Sequence, residues 1–133
     1  MPDLPEMTPD LLAALLDDAN HSPAHSVRAA LARVDGQPHP RVAALTAHLR
    51  AVKHETWVAV TAAAGQAPPP DDAGLTRLMA WEVTAARALP PGALALPLGS
   101  TGPTVQDALL ALVRHTVWHA GQIAALARRP LLV

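Results

Sequence analysis

The sequence predicts an all-α chain, a four-helix bundle whose first helical arm is broken near Pro23. Three observations carry this prediction. Apolar residues recur at three- and four-residue spacing in separate segments, as the buried stripe of an amphipathic helix requires. Half of the 133 residues are apolar, yet there are only three Trp and no Phe or Tyr. The core must therefore come from close contacts of Ala, Leu and Val, and alanine favours helix. Finally, the 14 Pro and 7 Gly fall mainly between the periodic segments, where they act as stops and turns. No segment reads convincingly as a strand.

The elements follow in order. Thr8-Pro9-Asp10 supplies an N-cap, a Pro at the first helical position and an acid in the first turn. Leu11, Leu12, Leu15 and Leu16 give that helix an apolar face up to Asp18, and Asn20-His21-Ser22-Pro23 interrupts it. Ser22-Pro23 restarts a helix with the stripe Val27, Ala30, Leu31 and Val34, which Asp35-Gly36-Gln37-Pro38 ends. Residues 8–34 thus form one arm kinked near Pro23. A second arm is predicted from Pro40 to Ala64, closed by Gly65, with the stripe Val42, Leu45, Leu49, Val52, Thr56 and Val60. The third should begin at Asp71 or Asp72 and reach Leu89, with Leu75, Leu78, Met79, Val83, Ala86 and Leu89 on one side and Pro90-Pro91-Gly92 as its stop. Thr104 and Asp107 form a capping-box pattern that opens the fourth arm, whose stripe is Val105, Leu109, Leu112, Ile123 and Leu126.

Composition excludes several classes of function. Ten Lys plus Arg against 11 Asp plus Glu give a formal charge of −1 with no basic block, so nucleic acid is not an expected partner. Cysteine is absent, which removes disulfides and thiol nucleophiles and leaves His or carboxylate as the only metal ligands. The N-terminus has no basic leader pattern, and no run reaches the roughly 18 apolar residues of a membrane span. A single cytoplasmic domain over residues 1–133 is expected. Apolar residues outside the stripes, Leu110 and Val117 on the outward side of the fourth helix, predict a second buried face and a homodimer.

The chemistry concentrates in HTVWHAGQIAALARR. His115 and His119 stand one turn apart on the side of the apolar stripe, while Arg114 points to water. Side chains at that spacing are neighbours and can place two nitrogens on one ion. A third ligand is needed, and His48, beside the stripe of the second arm, faces in; His54 lies about 160° from the stripe centre and faces out. Three inward imidazoles in an Ala/Leu/Val core need partners, because burial without them is unfavourable. A divalent metal, Zn or Ni, satisfies all three. The competing reading makes each a core-edge residue bonded to backbone or water.

Other positions have less specific signals. Gln122, one turn beyond His119, is placed to hydrogen-bond a ligand ring, or else is an exposed packing residue. Gly121 lowers helix stability by about 1 kcal/mol, which predicts close approach of a neighbouring helix. Glu82 falls in the stripe of the third helix, which makes it either a pocket residue near the metal or a sign that this helix is rotated outward; the second reading is preferred. Trp57, Trp81 and Trp118 flank their stripes as edge or interface anchors, with Trp118 also a pocket candidate. His21, His25 and His39 sit at breaks and should be solvated, although His25 could reach a pocket mouth if the kink folds inward.

The string HTVWHAGQI resembles the closing helix of the DinB-like (DinB/YfiT) superfamily, which commonly reads His-x-x-x-His-x-Gly-Gln-Ile or Leu. PRVAALTAHLRAVKHETW is similar to that family's other signature, an apolar helical run ending in His-Leu with a Trp a few residues on. The resemblance covers most of the chain and implies a four-helix bundle with metal ligands at His48, His115 and His119. It also implies either a thiol S-transferase acting on a low-molecular-weight thiol such as bacillithiol or mycothiol, or a metal-dependent hydrolase. No general base stands out in the sequence. The contrasting class is a metal-binding or structural, stress-related protein without turnover.

Overall fold

The computed structural model describes residues 6–34 and 39–128, and within them the chain is helical with no strand. Its helices are α1 (Pro9–His21), α2 (Val27–Ala32), α3 (Pro40–Ala64), α4 (Leu75–Arg87) and α5 (Val105–Ala127), with a 3-10 turn at Ala93–Ala95. No helix among the described residues is long and apolar enough to cross a membrane.

Local chemistry sets most boundaries. Thr8 caps α1 by accepting from the Leu11 amide at 3.1 Å, and Pro9 enters at the first turn, where its missing N–H leaves no bond unmade. The helix runs one turn past Asp18, to His21, whose Nδ1 lies 2.8 Å from Asp17 Oδ1. The break then falls where expected, but the helix restarts at Ser26 rather than at Ser22-Pro23: Ser26 is the N-cap of α2, accepting from the Ala29 amide at 3.0 Å. The stop assigned to residues 35–38 lies outside the described residues. Helix α3 occupies the predicted span and ends on Gly65 at φ 67°, a left-handed position that a side chain would strain. Thr104 and Asp107 close the capping box of α5, each accepting from the other's backbone amide at 3.2 Å.

Other boundaries differ from the sequence reading as well, α4 ending at Arg87 short of Leu89. Helix α4 starts at Leu75 rather than residue 71 or 72. The reason is Arg50 on α3, which donates to the carbonyls of Asp71 at 2.6 Å and Ala73 at 2.9 Å and holds that segment as a turn. The segment before α5 is not wholly irregular, because it contains the 3-10 turn and an isolated bridge between Pro97 and Thr104.

Helix α4 packs on α1 and α3, and α5 packs on α1, α2 and α3. The main apolar cluster joins Leu12 and Leu16, Trp57 and Val60, Val83 and Ala86, and Leu109 and Leu112. A second joins Val27, Leu49, Leu75, Met79 and Ala120. Between them runs a layer of buried polar residues from four of the five helices: Asn20 from α1, Lys53 from α3, Glu82 from α4 and Thr116 from α5. Asn20 Nδ2 donates to Glu82 Oε2 at 2.6 Å and Trp57 Nε1 to Oε1 at 2.9 Å. Lys53 Nζ donates to Glu82 Oε2 and, at 3.0 Å, to Thr116 Oγ1. Thr116 passes the chain on, donating to the Leu112 carbonyl at 2.7 Å. Burial pulls the Lys53 ammonium below the usual lysine range, and contact with Glu82 works in the opposite direction.

This layer overturns the outward rotation preferred for α4, since Glu82 is fully buried and ion-paired. It also shifts the buried line of α3 to Val42, Leu49, Lys53, Trp57 and Val60, whereas Val52 and Thr56 are only half-buried. Trp57, expected at an edge, is in the core with Trp81 edge-on at 5.3 Å. The close approach expected at Gly121 is absent among the described residues, because a Cβ there would meet none of their atoms within 4 Å.

Candidate metal centre

The three sequence-predicted histidines do come together. One ring nitrogen from each of His48, His115 and His119 lies within 4.8 Å of the other two, and they are the group of His or carboxylate side chains among the described residues arranged to hold an ion. Ring centroids are 5.3 Å apart for His48 and His115, 5.1 Å for His48 and His119, and 4.3 Å for His115 and His119. Helix α5 delivers two rings from consecutive turns, and α3 delivers the third across the seam where the two helices pack.

The site lies at the rim of that seam rather than in the core. His119 is buried and His115 half-buried, but His48 is exposed, contrary to the inward orientation expected of it. The cause is the rotation of α3 by the polar layer: with Leu49, Lys53 and Trp57 at the centre of the buried line, His48 moves to the flank. His54 is not turned to water either. It is half-buried on the other flank, with Nε2 3.3 Å from Asp71 Oδ1, and takes no part in the three-histidine group.

The donors suit a divalent cation. His115 Nε2 is buried without a hydrogen-bond partner among the described residues, a state that is unfavourable for a polar atom unless something else occupies its lone pair. His119 Nδ1 meets Gln122 Oε1 at 2.6 Å. Because that amide oxygen only accepts, Nδ1 carries the proton and Nε2 keeps a free lone pair, the tautomer a metal ligand needs. Burial, followed by the neighbouring His119 and His48 and then the Lys53 charge, lowers the His115 pKa from its ordinary value. The neutral, coordinating form is favoured there.

The remaining candidates separate. Gln122 is the ring-orienting partner its spacing allowed. Glu82 is not a pocket residue, since both of its oxygens are committed to the buried layer. Trp118 is 68% exposed and points away from the core, so it is not a pocket wall. His25 is exposed beside a groove between α2 and α5, and His39 caps α3, accepting from the Val42 amide at 3.4 Å. Leu110, expected outward, is half-buried against the main cluster, whereas Val117 is 52% exposed.

Sequence reasoning missed Lys53, Asn20 and Thr116. The signal for Lys53 was available: it lies four residues from both Leu49 and Trp57, and Glu82 on another stripe required a cation. Comparison with protein-family models, with curated proteins and with solved structures gives no match for this chain.

Proposed function

We propose that this chain is a divalent-metal-binding protein of the DinB-like kind, its helices forming a four-arm bundle with the ion held between α3 and α5. The observation that carries this reading is the convergence of His48, His115 and His119 on one point at the rim of the seam, with His115 Nε2 otherwise unpartnered. Zn or Ni is the ion proposed, because an all-imidazole donor set suits both. Such an ion, when bound, supplies Lewis acidity that lowers the pKa of a thiol or water reaching it.

The chain's own residues provide the rest. Gln122 holds the His119 ring in its coordinating tautomer, the Lys53–Thr116 contact anchors the turn of α5 that carries both His115 and His119, and the exposure of His48 leaves an approach from solvent. This arrangement supports a metal-dependent enzyme, a low-molecular-weight-thiol S-transferase or a hydrolase; a cytoplasmic location goes with this reading. A second reading, metal binding without turnover, is favoured by the absence of any carboxylate from the histidine group among the described residues. Exposed Val58, Val117 and Trp118 support a homodimer as the working assembly.

Elemental analysis of the purified protein tests the metal reading, with about one equivalent of Zn or Ni per chain expected and none in a His48→Ala/His115→Ala variant. Metal-free protein after growth with both ions supplied would defeat it. A screen of the loaded protein with thiols and with ester or amide substrates separates the catalytic reading from simple metal binding.

A further inference from the structure

Along the α3–α5 seam, immediately beyond the histidines, lies an open cavity of about 470 Å³ lined by Arg41, Ala44, Leu45, Gln122, Ala125 and Leu126. That volume is in the range of small-molecule sites. None of the three histidines lines the cavity, but Gln122, which does, joins it to the metal centre. Ala44 and Leu45 sit one turn before His48 on α3, and Gln122 sits one turn after His119 and is bonded to its ring. A molecule lying in the seam with one end at the histidines therefore passes over Leu45 and Leu126, both half-buried, and ends at Arg41.

We propose that this cavity is the substrate pocket of the metal centre and takes an elongated small molecule with an apolar body and a terminal carboxylate. The proposal rests on the metal-site reading above and names the substrate class of that same site. Its charge requirement comes from Arg41, the cationic lining residue. Among the described residues no carboxylate lines the cavity and none forms an ion pair with Arg41. Arg41 stands in the first turn of α3, which holds no acidic residue, so the positive end of a 25-residue helix adds to its field. One guanidinium balances one negative charge, and its planar fork matches the two oxygens of a carboxylate. The length requirement comes from the helix: Arg41 precedes His48 by seven residues, so roughly 10 Å of rise separates them at about 1.5 Å per residue. The apolar requirement comes from Leu45, Leu126 and the alanines between.

The test uses cobalt-loaded protein, because a thiolate that reaches Co(II) produces a charge-transfer absorption independent of any turnover. Titration with ω-mercaptooctanoate and with ω-mercaptooctanol compares the same chain with and without the charge. The carboxylate probe is expected to bind about threefold to fivefold more tightly, the increment of an ion pair at an exposed arginine. Arg41→Gln should abolish that preference with cobalt content unchanged. Ala125→Phe, at an exposed lining position, should weaken both probes by narrowing the cavity. Equal affinity for the two probes in the parent protein, or a preference that survives Arg41→Gln, overturns the pocket while leaving the metal site standing. If cobalt does not bind, the metal reading fails instead, and calorimetric titration of octanoate against octanol decides the pocket by the same preference.

Discussion

Lys53 Nζ donates to Thr116 Oγ1 at 3.0 Å, so the core lysine of α3 grips α5 at the residue that follows His115 and precedes His119 by less than a turn. The ion pair beneath the histidines and the histidines themselves occupy one level of the fold, and a change in the first is expected to reach the second.

Removing one partner of that pair leaves a buried charge uncompensated. Lys53→Met should therefore destabilise the protein by about 3–5 kcal/mol, and Glu82→Leu by a similar amount. The double variant should recover part of the loss, because it removes the uncompensated charge but leaves Asn20 Nδ2 and Trp57 Nε1 without the carboxylate they donate to. Chemical denaturation of the four proteins gives the coupling. Additive losses in the double variant would show that the pair does not act as a unit.

Metal content and thermal stability should fall together in His115→Ala and in His48→Ala, since the ion ties α3 to α5. His54→Ala, on the opposite flank beside Asp71, should retain full metal content. Metal analysis alongside melting curves makes the comparison, and a His54 variant that loses metal as readily as His48→Ala would contradict the assignment.

Loss of Gln122 removes the acceptor that fixes the His119 tautomer. Gln122→Ala should weaken metal affinity by about 10–100-fold, the usual effect of deleting a ligand's hydrogen-bond partner, with little change in fold. Competition against a chelator of known affinity measures the shift. Gln122→Glu, which keeps an acceptor at the same place, should retain more of the affinity than the alanine variant.

The metal-free protein should lose stability as pH falls below about 6.5, the ordinary His value. His115 titrates lower than that in the folded chain, so in the window below 6.5 the unfolded chain holds more protons than the folded one. Stability is then fully present above the window and declines through it until the folded pKa is passed. Competition between protons and metal acts in the same direction on the loaded protein. Urea denaturation across this range, for the parent and for His115→Gln, should show a shallower decline in the variant.

Gly121→Ala should stabilise the protein by about 1 kcal/mol, because the added methyl enters open space and the helix gains a better former at its interior. A lower melting temperature would mean that the glycine serves a contact absent from the isolated chain, such as a second copy packed against α5.

Several features followed from the sequence by itself, because they depend on residues close together in the chain. The cap at Gly65, the capping box at Thr104 and the break after α1 are local bargains between backbone donors, side chains and proline geometry. The pairing of His115 with His119 is equally local, being set by helical pitch alone. The rotation of α3 was decided only when helices distant in sequence met. A lysine at the centre of a buried line is favourable only if Glu82, 29 residues away, arrives with its charge and if Asn20, Trp57 and Thr116 complete the hydrogen bonds. Once it does, Lys53 displaces Val52 and Thr56 from the core line and carries His48 to the rim. The identity of the three histidines was therefore legible one helix at a time, whereas their exposure to solvent was set by a buried ion pair that no single stretch of sequence contains.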